Sequence, residues 1–361
     1  MDCFLNRIII GGGTTPTPTG YVRPTGVPNG ESIIANAPII ESGGVNYYPI
    51  YYICAMDTFT GTTFSKTGTG VSTGADAFVF SDEPSTLYVG DTAHTFDVAD
   101  DFATDQEWKC RYVIMYATEA NKNDSAGITV NLYMYRAIFE IIGGQYLKLS
   151  STSAVSGYTS STTANKNLRY VNLENSSFYN NELSVSDFCR SCYSLATLTL
   201  PILTTISGGN FCYYCYSLTT LTLPNLTTSS GGSFCSGCHS LVTLTLPNLT
   251  TYSSGGYFCC NCYSLEYFVI PSTITSMTDT SVNTLNFTQF IELPTDFDIT
   301  GCNFTGETGY PKSLAWFTHL ATQLKDNSGG TAKTMVLGAT NIALIPSATA
   351  TIISNKNWTL S

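Results

Sequence analysis

Charge is scarce in this chain. Asp, Glu, Lys and Arg together make up 11% of its 361 residues, and from Phe188 to Leu265 there is no Asp, no Glu and no Lys. Glycoside hydrolysis needs two carboxylates facing one bond, so that stretch cannot supply it. Only 15 Lys and Arg occur, with no basic run, which argues against binding nucleic acid through the phosphate backbone. Nor does any apolar run approach the ~20 residues of a membrane span, so no membrane insertion is expected. At the amino terminus, MDCFLNRIII, Asp2 precedes Arg7 and the longest apolar run is Ile8 to Ile10. A secretory leader needs a basic start and ~7–15 apolar residues, so none is expected here.

What the chain does have is 43% hydrophobic residues, 23 Tyr, 19 Phe and 13 Cys. Low charge with that much apolar content predicts a folded protein. The main signal is a repeat. Blocks beginning FCRSCYSL, FCYYCYSL, FCSGCHSL and FCCNCYSL start at Phe188, Phe211, Phe234 and Phe258, a period of 23, 23 and 24 residues. One such unit cannot bury its own apolar face, so the period predicts a stacked solenoid. Within the second unit, Leu221 and Leu223 alternate with Thr220 and Thr222, which is strand spacing with leucine inward and threonine outward. Pro224 lacks an N–H and ends the ladder. Gly231-Gly232 supplies the next turn. The outward row is Thr197, Thr199, Thr220, Thr222, Thr243 and Thr245, continued by Tyr267 and Val269.

These units resemble BspA-like (treponemal-type) leucine-rich repeats, whose usual form is A-F-x-x-C-x-S-L-x-x-I-x-I-P. The C-x-S-L core is matched at Cys192 to Leu195, Cys215 to Leu218, Cys238 to Leu241 and Cys262 to Leu265. Where the family has A-F, this chain has Phe-Cys, with the aromatic moved by one place. The resemblance covers under a third of the chain. It implies a leucine-rich solenoid of the kind found in bacterial surface adhesins and phage virion proteins.

The fold expected is mainly β: an N-terminal β-sandwich or jelly-roll-like domain, then the solenoid, then an α/β C-terminal cap. Residues 1–31 read as an apolar peptide with a Gly/Thr/Pro linker. Phe4, Leu5, Ile8, Ile9 and Ile10 are candidates for attachment to a virion partner by strand addition. Residues 32–150 read as the mounting domain, with strands expected at Ser32–Ile40, Asn46–Cys54, Ala77–Phe80, Thr86–Val89, His94–Val98, Trp108–Ala117, Ile128–Tyr135 and Ala137–Ile142. The near-continuous apolar run from Tyr112 to Tyr116 suits a central strand covered on both faces. A Ser/Thr-rich boundary spans 151–166 and the solenoid 167–310, with an atypical first rung around Leu168 to Leu173. Residues 311–361 read as the cap, with helices over Ser313–Lys325 and Ser347–Ser354 and strands at Thr334–Leu337 and Trp358–Leu360. That order is similar to the closing module of some BspA-like proteins.

Four C-x-x-C pairs, at 189/192, 212/215, 235/238 and 259/262, have zinc-ribbon spacing on paper. Because the spacing repeats with the rung, the preferred reading is a ladder of buried thiols, with zinc and disulfides as the alternatives. No cofactor or metal is expected. The acidic stretch Asp97 to Asp105 lacks the Gly and Glu of a calcium loop and reads as a solvated turn. The N-L-T sequons at Asn225 and Asn248 arise from the repeat itself.

The function expected is that of a non-enzymatic phage virion surface or fibre protein, assembled in the host cytoplasm, oligomeric, and contacting other virion proteins. Its candidate binding surface for a host-surface glycan or protein is the threonine ladder, flanked by Tyr193, Tyr216, His239 and Tyr263 as aromatic groups for stacking. The alternatives are a structural decoration protein of a capsid or tail, and an adhesin of a bacterial cell surface.

Overall fold

The computed structural model describes residues 20–56, 75–81, 83–91, 109–129, 138–153, 167–200, 202–252, 257–265, 314–335 and 337–361, with short segments at 63–65, 93–95, 102–103, 267–269 and 290–292 and the single positions 271 and 274. The account below concerns these residues.

The N-terminal part begins with helix α1 (Gly30–Asn36), followed by β1 (Ile40–Ser42), β2 (Val45–Met56), β3 (Thr63–Ser65), β4 (Ala77–Phe80), β5 (Tyr88–Val89), β6 (Ala93–Thr95), β7 (Phe102–Ala103), β8 (Lys109–Thr118), the short α2 (Glu119–Lys122), β9 (Ile138–Gly143) and β10 (Lys148–Leu149). The solenoid supplies β11 (Tyr170–Asn172), β12 (Ser177–Phe178), β13 (Glu182–Leu183), β14 (Thr197–Thr199), β15 (Thr205–Ile206), β16 (Thr220–Thr222), β17 (Thr228–Ser229), β18 (Thr243–Thr245), β19 (Thr251–Tyr252), β20 (Tyr267–Val269) and β21 (Phe290–Glu292).

The fold is mainly β, an N-terminal sheet domain followed by a solenoid. Seven of the N-terminal strands join β11 and β14 in one nine-stranded sheet whose path runs β14-β11-β9-β2-β8-β4-β5, with β1 on β2 and β7 on β8, while β10 pairs in parallel with β12. A separate pair, β3 with β6, is antiparallel. The expected central strand is there: β8 lies between β2 and β4, with Val113, Ile114, Met115 and Tyr116 all buried. Pro49 is tolerated inside β2 because the register shifts between Pro49 and Tyr51, where no ladder N–H is required.

The stretch Ser32–Ile40 is not one strand. Asn29 accepts a hydrogen bond through Oδ1 from the Ser32 N–H (2.9 Å), Glu31 occupies the first turn, and α1 forms instead. Ile34 is buried against the sheet, and only Ile40 to Ser42 is extended. Two adjacent isoleucines fit either periodicity, so the capping asparagine decides.

The sheet does not end where the solenoid starts. β9 pairs with β11 in parallel (Ile141 with Val171), and β11 pairs with β14 (Val171 with Leu198). One apolar core therefore runs from Ile53 and Phe78 under the sheet, through Leu173 and the rungs, to Trp358 in the cap. The opposite face of the sheet, with Tyr52, Val79, Phe139 and Ile142, is covered by α1 and Val27.

Each rung repeats the same contacts. Parallel register is kept at 23 residues, as in Thr205 with Thr228 with Thr251, and Leu221 with Leu244. Leu195, Leu218, Leu241 and Leu265 are all 0% exposed, and each such burial contributes about 2 kcal/mol. Phe188, Phe211, Phe234 and Phe258 stack as a buried column with centroids 5.5, 5.1 and 4.8 Å apart. The shifted aromatic thus has its own internal slot. Two positions per rung need a left-handed backbone: Asp187, Asn210 and Ser233 before the Phe, and Ser191, Tyr214, Gly237 and Asn261 inside C-x-x-C. The first glycine of the Gly208-Gly209 and Gly231-Gly232 pairs serves a different need. A Cβ on Gly208 would run into the Val185 carbonyl, and one on Gly231 into the Gly208 carbonyl, so close approach of successive rungs requires glycine there.

The cap comprises α3 (Leu314–Gln323), β22 (Lys333–Met335), α4 (Gly338–Ile342), α5 (Ser347–Asn355) and β23 (Trp358–Leu360), with β22 and β23 parallel. Phe317, Leu320, Ala321 and Leu324 line one buried face of α3, which closes the apolar end of the solenoid. Lys356 Nζ donates to the Thr322 and Leu324 carbonyls (2.7 and 2.8 Å), satisfying the last turn of that helix.

Candidate functional site

β14, β16 and β18 each read Thr-Leu-Thr. Leu198, Leu221 and Leu244 are buried; Thr220 and Thr222 are exposed, and Thr197, Thr199, Thr243 and Thr245 are half-buried. The structure therefore brings the six predicted threonines together on one face. Among the described residues, the side chains of Thr199, Thr220, Thr222, Thr243 and Thr245 make no hydrogen bond, and Thr197 Oγ1 accepts one from the Tyr21 N–H (3.2 Å). A second threonine column in the same solenoid behaves differently. Thr204, Thr227 and Thr250 donate through Oγ1 to the carbonyls of Asn181, Thr204 and Thr227, at 3.2, 3.0 and 3.0 Å. Those hydroxyls tie rungs together. The ones on the Thr-Leu-Thr face do not, so they remain available to a ligand or to water.

Tyr193, Tyr216, His239 and Tyr263 form a column beside this face, with centroids 4.7, 4.6 and 5.0 Å apart. The first three rings are nearly parallel, at 9° and 15°. Their faces are thus turned to one another along the solenoid axis, leaving edges and polar atoms toward solvent. Stacking a sugar on an individual ring, as the sequence suggested, is open only at the ends of the column. Burial in this stack lowers the affinity of His239 for its proton.

No local pattern in the chain announces what borders the threonine face. Thr197, Tyr170, Glu140, Cys54 and Tyr112 are cross-strand partners in one row over β14, β11, β9, β2 and β8. The threonine ladder is therefore the continuation of the N-terminal sheet's helix-covered face. The segment from Gly20 to Asn29, expected as linker, lies over this row and reaches Thr197. Tyr21 packs on Tyr170 (5.0 Å) and donates its hydroxyl to Glu140 Oε1. Arg23 donates Nε to the same oxygen (2.8 Å) and Nη2 to Glu31 Oε2 (2.6 Å). Glu140 is fully buried, and that burial raises its carboxyl above the usual range despite Tyr21 and Arg23. Burial also opposes ionisation of Glu31, but hydrogen bonds from Tyr170 and Arg23 outweigh it and hold that carboxyl low. The only hints in sequence are one acid inside the apolar run Ala137 to Gly143 and one arginine in an otherwise neutral leader segment.

The eight C-x-x-C cysteines are all 0% exposed. Cys215, Cys238 and Cys262 donate S–H to the carbonyls of Cys189, Cys212 and Cys235, each at 3.1 Å. Burial pushes the Cys189, Cys215, Cys235 and Cys262 thiols up. Burial acts the same way on the equally buried Cys212 and Cys238, but there hydrogen bonds from the neighbouring ladder thiols outweigh it and shift them down. This is the buried thiol ladder of the preferred reading. Among the described residues, no cluster of His, Cys, Asp or Glu is arranged to hold a metal ion. None of their helices is long and apolar enough to cross a membrane. The attachment candidates Phe4 to Ile10, the acidic stretch 97–101 with Asp105, and most of the 151–166 boundary lie outside the described residues.

With this geometry in view, the repeat type is settled by comparison. Residues 163–288 match the model of the BspA type leucine rich repeat region, in six copies. That stretch is a BspA-type leucine-rich repeat solenoid, a scaffold that typically serves protein interaction. No curated protein and no solved structure matches the chain.

Proposed function

We propose that this chain is a non-enzymatic surface or fibre protein of a phage virion, and that its threonine face binds a glycan or protein of the host surface. The observation that carries this reading is the uncharged row of outward threonines in which, among the described residues, the hydroxyls of all but Thr197 make no hydrogen bond, beside a second row whose hydroxyls are all used internally. A surface built only to keep a sheet soluble has no reason to lack Asp, Glu and Lys from Phe188 to Leu265. Hydroxyl ladders offer many weak contacts, which oligomerisation on a particle converts into avidity. The ladder of buried free thiols suits assembly in a reducing cytoplasm better than export. Other virion proteins would hold the N-terminal part, with Phe4, Leu5 and Ile8 to Ile10 as the attachment peptide. Antibody labelling of purified particles, and adsorption of particles carrying or lacking the chain, test this together. The reading predicts labelled particles, weaker adsorption without the chain, and loss of labelling when residues 1–13 are deleted. Unlabelled particles would refute the virion placement. Labelled particles that adsorb equally without the chain would leave only a structural decoration role.

A further inference from the structure

The sheet carrying the threonine face is interrupted. One sheet ends at β14 and another starts at β16, although the two strands belong to consecutive rungs. Equivalent register would pair Thr197 with Thr220, Leu198 with Leu221 and Thr199 with Thr222, as Leu221 is paired with Leu244. The strands β14 and β16 are not paired, and the bonds equivalent to Thr243 N–H to Thr219 and Leu223 N–H to Thr245, namely Thr220 N–H to Ala196 and Leu200 N–H to Thr222, are not made. Elsewhere the same two rungs are bonded: the Cys189 N–H donates to the Phe211 carbonyl (2.8 Å), Ser217 to Tyr193 (3.1 Å), and Thr227 and Thr228 to Thr204 (2.9 and 3.1 Å). Only the threonine face is parted. Leu198, 5% exposed where Leu221 and Leu244 are 0%, shows the same opening.

Over this seam lies a groove of about 330 Å³, lined chiefly by Gly20, Thr197, Thr199, Thr220, Thr222 and Pro224. That is the lower end of the ~300–1,000 Å³ range of small-ligand sites. Its polar groups are threonine hydroxyls together with the main-chain N–H and C=O groups that a closed ladder would have used. These are donors and acceptors in near-equal number, and no ionised side chain lines them. Threonine methyls and Pro224 add small apolar patches. An inserted peptide strand would need its neighbours roughly 9–10 Å apart, and the bonds on the other sides of the rung hold β14 and β16 closer than that. The occupant must rest on the seam and reach down with hydroxyls.

We propose that the β14/β16 seam is a binding site for a neutral saccharide, whose hydroxyls pair with the free main-chain N–H groups of Thr220 and Leu200 and carbonyls of Ala196 and Thr222, and with the hydroxyls around them. This rests on the reading that the threonine face is a recognition surface, and it names the ligand class.

Amide hydrogen exchange on the full chain tests it. Without ligand, the Leu198, Leu200, Thr220 and Thr222 amides exchange at least tenfold faster than their equivalents Leu221, Leu223, Thr243 and Thr245. The probes are cellotetraose, maltotetraose, mannotetraose and N-acetylchitotetraose at millimolar concentration, with sialyllactose and an extended polythreonine peptide as charged and peptide comparisons. At least one neutral tetrasaccharide is expected to slow the seam amides severalfold, and Thr222→Val, which keeps shape and removes the hydroxyl, is expected to weaken that protection. Equal exchange in the two sets of amides would overturn the seam. A fast seam that no neutral saccharide protects, or that only the peptide or the sialylated sugar protects, would overturn the ligand class. In the last two cases the protein's retention on cells would still decide the broader reading separately.

Discussion

Replacing Gly231 by alanine probes the solenoid where its rungs are closest. The added Cβ would overlap the Gly208 carbonyl of the preceding rung. That carbonyl cannot swing away cheaply, because the same turns are tied by the Asp187 N–H to the Gly209 carbonyl and the Asn210 N–H to the Gly232 carbonyl, both 2.8 Å. The rungs must part locally, at the ~1–3 kcal/mol typical of overpacking. At roughly 2–4 °C per kcal/mol for a protein of this size, Gly231→Ala should lower the melting temperature by about 2–12 °C. Gly209→Ala is the internal control, one residue along in the preceding unit. Its Cβ would find the Gly232 carbonyl at an ordinary 3.6 Å, so its melting temperature should stay within about 2 °C of wild type or rise slightly. Far-UV circular dichroism melts of the two variants in one buffer are sufficient. Equal melting temperatures would refute close rung contact as the reason for the Gly-Gly pairs.

His239 gives a pH prediction. Burial lowers its folded pKa, so stability from its neutral form is present above the unfolded value of 6.5 and is lost as pH falls through the folded one. Wild type should therefore lose more melting temperature between pH 7 and pH 5 than His239→Tyr, which restores the residue type of its neighbours; parallel losses would contradict the stacked, partly buried placement. Arg23→Met leaves Glu140 buried without its cation and should cost about 3–5 kcal/mol in chemical denaturation, most of it recovered in Arg23→Met with Glu140→Gln. A double variant no better than the single one would remove the ion pair from the account. The ladder thiols should react with a disulfide reagent only at the rate of unfolding, and prompt labelling of the native protein at Cys189 to Cys262 would show that the column is not closed.

Much of this architecture is legible in the chain. The period, the Thr-Leu-Thr strands and the inward cysteines follow from a repeat that must stack, and α3, α5 and β23 follow from their spacing and end signals. Three features are not. Helix α1 depends on one capping side chain, Asn29, next to apolar residues too few to set a period. The Tyr21–Arg23–Glu140 clasp joins residues 117 to 119 apart whose complementarity no local pattern displays. The seam is invisible because TLTLP precedes and follows it unchanged. What differs is that β14 continues the N-terminal sheet while β16 starts a new one.

The most direct test of the central claim uses the isolated protein. Wild type and a variant with Thr220, Thr222, Thr243 and Thr245 all changed to Lys would be incubated with intact cells of candidate host bacteria, and the retained fraction and the melting temperature of each measured. Saturable retention of wild type, lost in the lysine variant at unchanged melting temperature, is the predicted result. Equal retention of the two proteins would contradict the assignment of recognition to the threonine face.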